Sequence, residues 1–234
     1  MQYIELIWKP YSESGVLEPG EIRLVRASLG HDVAQFSPLL SSVEQERADR
    51  FKSQAHCDRY IVGRGLLRLL LSSFTGVAPA DIALETGAYG KPFLADRATG
   101  RPADLRFNLS HSDHHIVYAF RRGHEVGIDI EEIKEIPDIL LIARDYFTKI
   151  EYERLEAASQ EARAETFYHL WARKEAYLKA LGVGIGVPLD SAHSRPELMR
   201  IQSFRLGTEI RGALAFGGTL HTLSCFRWSP ESGL

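Results

Sequence analysis

The run Val126-Gly127-Ile128-Asp129-Ile130-Glu131-Glu132 constrains this chain most, because apolar and acidic residues alternate in it with a period of two. Side chains alternate across a β-strand, so Val126, Ile128 and Ile130 share one face while Asp129 and Glu131 share the other. The two carboxylates then lie about 6–7 Å apart at their Cα atoms. Two readings follow: a half-buried sheet whose polar face meets water, or a pair of oxygen donors that reach one hard cation. Helical spacing occurs on both sides of this strand. Residues 58–74 place Ile61, Leu66, Leu69 and Leu70 on one stripe, with Gly76 as a stop signal. Residues 162–181 form the longest helical segment, ended by Gly182, Gly184 and Gly186. Thr148-Lys149-Ile150-Glu151 fits a capping box, and residues 41–51 are polar and helix-permissive. Further strands are expected at 3–8, 21–27, 105–109 and 116–120, with a polar turn at 110–115 and short strands and turns from Pro188 on. Strands and helices mix without regular alternation, which gives an α+β class, with a boundary near residues 120–126 where Arg121-Arg122-Gly123 breaks two strand-like runs.

Composition removes several classes of function. With 234 residues and 44% of them hydrophobic, the chain can bury a substantial core. Its formal net charge of -3 lacks the basic excess of a duplex-binding protein, so no nucleic-acid partner is expected. Two distant cysteines, Cys57 and Cys225, make no disulfide framework and point to a reducing compartment. The first ten residues carry Glu5 and Lys9 and do not have the form of a signal peptide. The longest apolar stretch, around 66–71, is interrupted by Arg68 and falls short of the roughly 20 residues of a membrane span. A cytoplasmic protein without a membrane partner is the expectation.

Three further segments could carry chemistry. In Trp171-Ala172-Arg173-Lys174-Glu175-Ala176-Tyr177-Leu178-Lys179, the residues Phe167, Leu170, Trp171, Leu178 and Leu181 form an apolar stripe with Lys174 near its middle. A lysine there must snorkel to the edge or find an anion. Glu175, at the edge of the stripe, and Lys179, one turn on, are either an ordinary i,i+4 pair or part of a site. Phe107-Asn108-Leu109-Ser110-His111-Ser112 reads as a strand that ends in a backbone-bonded turn, or as a pocket rim with a proton-responsive histidine. His111, His114 and His115 match no familiar zinc spacing. In Gly90-Lys91-Pro92, glycine permits close approach, proline stiffens the loop and lysine supplies a cation, but the tripeptide is not a Walker A loop.

Taken in order, Gly90-Lys91-Pro92, Phe107-Asn108-Leu109-Ser110-His111-Ser112, Val126-Gly127-Ile128-Asp129-Ile130-Glu131 and Trp171-x-x-Lys174-Glu175-x-x-x-Lys179-x-x-Gly182 resemble the Sfp-type 4′-phosphopantetheinyl transferases. That resemblance implies two similar α+β halves related by a pseudo-twofold axis, here 1–123 and 124–234, with coenzyme A in the cleft between them. It implies Mg²⁺ held by Asp129, Glu131 and Glu175. It also implies a cofactor site drawn from Arg47, Arg59, Gly90, Lys91, Pro92, Asn108, Ser110, His111, Lys174 and Lys179. The expected reaction is transfer of the phosphopantetheine arm to a serine of an apo acyl or peptidyl carrier protein, with release of 3′,5′-ADP. The catalytic set implied is Glu175 as base, Glu131 as the alternative, and Lys179 and His111 at the phosphates. A chain of two halves completes its own cleft, so a monomer is expected. One departure stands out: some relatives carry a lysine where this chain has Glu44, which leaves the contacts of the 3′-phosphate open among Arg47, Arg50 and Arg59. The rival readings are a metal-dependent coenzyme A pyrophosphohydrolase and a coenzyme A-binding module without catalysis.

Overall fold

The computed structural model describes residues 1–12, 16–96, 98–184 and 199–232. Its strands are β1 (Trp8–Pro10), β2 (Glu21–Ser28), β3 (Leu84–Thr86), β4 (Pro92–Leu94), β5 (Leu105–Ser112), β6 (His115–Arg122), β7 (Val126–Glu132), β8 (Met199–Leu206), β9 (Ile210–Gly217) and β10 (Thr222–Arg227). Its α-helices are α1 (Ser42–Asp49), α2 (Gln54–Thr75), α3 (Ile139–Tyr146), α4 (Lys149–Glu156) and α5 (Gln160–Leu181). The α+β class read from the sequence is the class observed. Among the described residues, no helix is long and apolar enough to cross a membrane.

One sheet runs β1-β10-β2-β6-β5 and a second runs β7-β9-β8. They stack face to face on an apolar layer in which Ile22, Leu24, Val117 and Ala119 meet Val126, Ile128, Ile130, Leu214 and Phe216. The outer face of the first sheet packs on α2 through Leu66, Leu67, Leu70, Tyr118 and Phe120. The outer face of the second packs on α5 through alanines: Ala172, Ala176 and Ala180 against Ala213 and Ala215. Small residues let that helix lie close on its sheet. Closest is Gly127, where an added Cβ would stand 2.1 Å from the Ala176 carbonyl oxygen. Any side chain there would push α5 off β7.

Local signals account for most helix ends. Both capping boxes, Ser41 with Glu44 and Thr148 with Glu151, are formed. Gly76 and Gly182 end α2 and α5 in the left-handed conformation, at φ +69° and +72°. Gly186 lies outside the described residues, as do 188–198 of the tail expected to form strands and turns. Elsewhere the sequence expectation needs correction. The segment 3–8 is not a strand: Ile4 makes one bridge to Phe204, and the strand begins at Trp8. The turn expected at 110–115 shrinks to Asp113 and His114, because β5 and β6 stay paired out to Ser112 and His115. Helix α3 carried no expectation at all. Buried Arg68, which breaks the apolar run of α2, reaches Glu44 at 2.6 Å and the carbonyls of Pro79 and Ile82.

Candidate active site

β5 and β7 are edge strands of different sheets, and the site is built where they meet. Three alternate residues of β5 face β7. Asn108 Oδ1 accepts from the Ile128 amide at 2.9 Å, Ser110 Oγ donates to Asp129 Oδ1 at 2.8 Å, and Ser112 Oγ accepts from the Glu132 amide at 3.0 Å. Residues 108 and 112 of this period-two polar pattern therefore supply partners for a backbone edge that no strand covers among the described residues, and 110 does so for a carboxylate. On the opposite face of β5, Leu109 and His111 line a cleft.

The acidic face of β7 is largely shielded from water, with Asp129 buried and Glu131 half-buried. It is roofed by α5, and Asp129 is only 2% exposed. Asp129 Oδ1 accepts from Lys179 Nζ at 2.6 Å as well as from Ser110. Its Oδ2 is buried and has no hydrogen-bond partner. Lys179 Nζ also reaches Ser110 Oγ at 3.0 Å. Lys179 thus crosses from the helix to the strand, which is more than an i,i+4 helix pair. Burial, with Asp129 and Glu175 adding like charge, pushes Glu131 up to about 7, and Lys179 opposes the shift. Burial and then Asp129 also raise Glu175 above the usual carboxylate range. Asp129, Glu131 and Glu175 therefore feel one another, although among the described residues no three His, Cys, Asp or Glu side chains close into a metal cage.

The cleft has a volume of about 610 Å³. Arg47, Arg59, Arg64, Lys91 and Lys179 line it, against one acid, Glu175, among the described residues. Arg47 and Arg64 both stack on the ring of Tyr60, at 5.4 and 5.8 Å, and the Tyr60 hydroxyl is buried without a partner. Burial, helped by Lys179 and Arg59, holds His111, which lines the cleft, below the usual histidine range. A groove of this kind suits a ligand with several phosphates.

Comparison with known proteins decides what the ligand chemistry serves. A model of the 4′-phosphopantetheinyl transferase superfamily matches residues 125–220, and a model of the N-terminal part of 4′-phosphopantetheinyl transferases matches residues 28–122. The 4′-phosphopantetheinyl transferase HetI of Nostoc sp. is 36% identical over 181 residues, 76% of each chain. This chain belongs to the 4′-phosphopantetheinyl transferase superfamily. Sfp of Bacillus subtilis is 36% identical over 157 residues, covering 67% of this chain and 66% of that one. The transferase gsp of Aneurinibacillus migulanus is 35% identical over 159 residues, covering 67% and 63%. The last two matches span just under two thirds of those proteins' own length.

Within this transferase, the residues expected at the cofactor are not all in one place. Arg47, Arg59, Gly90, Lys91, Pro92, Asn108, His111, Glu175 and Lys179 line the cleft; Ser110 and Asp129 are buried and do not line it, nor does the half-buried Glu131. Lys174 points elsewhere. Its ammonium is 2.9 Å from Glu151 Oε2 and lies over the Phe147 ring, so the anion it requires belongs to α4 rather than to a cofactor. Sequence reasoning missed Arg64, Tyr60 and Tyr89. For the first two the signal was available: Arg59, Tyr60, Gly63, Arg64 and Leu67 fall on one face of α2. Glu44 is explained as well. It caps α1 and pairs with Arg64 at 3.3 Å and with Arg68, so its charge is met by arginines of α2, one of which lines the cleft. Arg50 does not line the cleft; it pairs with Glu46 at the surface, at 3.7 Å.

Proposed function

We propose that this transferase moves the 4′-phosphopantetheine arm of coenzyme A onto a serine of an apo acyl or peptidyl carrier protein and releases 3′,5′-ADP. One observation carries the reading: a cleft with Arg47, Arg59, Arg64 and Lys179 on its walls also presents Glu175, which is electrostatically coupled to Asp129 and Glu131. Coenzyme A is a polyanion with a pyrophosphate and a separate 3′-phosphate. The Arg47–Tyr60–Arg64 stack supports placing the 3′-phosphate there, and Lys179 with His111 supports placing the pyrophosphate beside the acids.

The donor set fits Mg²⁺. Asp129 Oδ2 is a buried, unpartnered oxygen, and Glu131 and Glu175 are carboxyls whose charge neighbouring acids disfavour. Asp129, Glu131 and Glu175 would hold the ion, and a bound Mg²⁺ neutralises charge on phosphate oxygens. The chain's own residues do the rest. Lys179 meets charge on the pyrophosphate. Glu175 faces the cleft, and burial and then Asp129 make its carboxylate more basic than usual, so it accepts the proton of the incoming serine. The serine oxygen forms a bond to the β-phosphorus, the bond to the bridging oxygen breaks, and 3′,5′-ADP carries the electron pair away.

The halves 1–123 and 124–234 belong to this reading, with two crossings. β10 pairs with β2 in the first sheet, and Ile4 bridges to Phe204 in the second. A monomer in the cytoplasm completes the proposal.

Incubation with coenzyme A and Mg²⁺, with and without an apo carrier, separates transfer from hydrolysis. Release of 3′,5′-ADP is expected only with the carrier and in one-to-one ratio with modified carrier. Equal release in its absence would make the protein a pyrophosphohydrolase.

A further inference from the structure

The ammonium of Lys91 is fully committed. It donates to Glu125 Oε2 at 2.7 Å, to the Ala180 carbonyl at 2.9 Å and, at greater length, to the Val126 carbonyl at 3.4 Å. An ammonium has three protons, so this arrangement leaves none for a phosphate. The acceptors come from the two elements that carry the acids. Val126 begins β7, which holds Asp129 and Glu131, and Glu125 immediately precedes it. Ala180 lies in the last turn of α5, which holds Glu175 and Lys179.

Lys91 itself belongs to the turn at 87–92, closed by the Gly87 amide on the Lys91 carbonyl at 2.9 Å. That turn lines the cleft through Tyr89, Gly90 and Pro92. The Ala180 carbonyl is one of the last four of its helix and has no intrahelical partner, and a cation there also meets the negative end of the helix. The stem of Lys91 lies against the helix terminus: a Cβ added at Gly182 would stand 3.3 Å from Lys91 Cδ. Glu125 is oriented from a second side by Arg106 Nε at 3.5 Å. Burial pulls Lys91 below the usual lysine range, and Glu125 is the main influence that opposes it. Without Glu125 the ammonium would keep two carbonyls and no counter-charge.

We propose that Glu125 is a positioning residue of the cofactor cleft. It acts through Lys91, holding that ammonium on the end of α5 and so fixing the 87–92 turn relative to Glu175 and Lys179. The inference rests on the coenzyme A reading for its effect on binding, but not for the latch itself. The latch ties the turn to a fixed helix, because α5 packs on β7 with no room for a side chain at Gly127. Contacts from the turn would hold ground state and transition state alike, so the expected loss is in KM rather than kcat.

Two measurements test it, on Glu125→Ala, Glu125→Gln, Lys91→Ala and the double Glu125→Ala/Lys91→Ala. Hydrogen exchange of the free protein reads the latch: amides 87–91 exchange faster than wild type in Glu125→Ala and in Lys91→Ala, and no faster in the double variant than in either single one. Steady-state kinetics read the consequence. Glu125→Ala raises the KM for coenzyme A about tenfold, the scale of one charge-assisted bond, with kcat within about twofold. Glu125→Gln, which keeps an acceptor oxygen for Lys91, recovers part of that loss. In the Lys91→Ala background the change at 125 alters KM by less than about twofold. Unchanged exchange in Glu125→Ala overturns the latch. A KM equal to or below that of the wild type, or the same fold rise with and without Lys91, overturns the positioning role. A wild-type protein that does not bind coenzyme A sinks the functional reading instead, while the exchange result still decides the latch.

Discussion

Glu175→Gln is expected to slow single-turnover transfer by about 10²–10⁴-fold, the range for loss of a general base. Coenzyme A affinity should change far less. Glu175 lines the cleft on a helix fixed by alanine packing and by Gly127, so glutamine enters the same position with the same shape. What disappears is a carboxylate that burial and Asp129 have made more basic than usual. The loss falls on the step in which the serine proton leaves. Single-turnover rates by rapid quench and affinity by calorimetry separate the two effects. A variant that retains more than about a tenth of the wild-type rate, above the low end of that range, removes Glu175 from the role of base and leaves Glu131 as the leading candidate.

Asp129→Ala and Glu131→Gln should both lose transfer, yet move stability in different directions. Asp129 is buried and accepts from Ser110 and Lys179, so alanine leaves an ammonium and a hydroxyl without their acceptor. A cost of about 1–3 kcal/mol is expected for groups stranded in this way. The two carboxylates share a face and repel each other, but the Lys179 contact outweighs what removal of one like charge would relieve. Glu131 is the opposite case. Its pKa stands at about 7 against an ordinary 4.5. Between those values the folded protein holds a proton that the unfolded chain has released, so stability falls as pH rises through the window. Glu131→Gln removes that fall. Melting curves between pH 4.5 and 7.5 should show a slope in the wild type that is smaller in Glu131→Gln, and Mg²⁺ should stabilise the wild type more as pH rises past about 7. Parallel curves for the two proteins would mean that Glu131 is not held in this strained charge environment.

Much of this site was legible because its signals are local. Period two in Val126–Glu132 gave the strand and put Asp129 and Glu131 on one face. Thr148 with Glu151, and Gly182 after Leu181, marked helix ends. The demand of Lys174 for an anion was also readable, but its partner Glu151 lies on another helix, and no spacing rule points there. The same limit hid the commitment of Lys91 to Glu125 and Ala180, and the exchange of β10 into the first sheet. Ser110 and His111 read as turn residues because small polar residues usually end strands. In fact the polar side of β5 is a seam with β7, where hydroxyls and an amide serve an uncovered edge. Binary patterning reports which side chains avoid water, not which element covers them.

The most direct test of the account is the intact mass of apo carrier proteins from several pathways after incubation with coenzyme A, Mg²⁺ and this protein. A gain equal to one phosphopantetheine group on at least one carrier, lost when its acceptor serine is replaced or when coenzyme A or Mg²⁺ is omitted, is the predicted result. No gain on any carrier, from a preparation that binds coenzyme A, would contradict it.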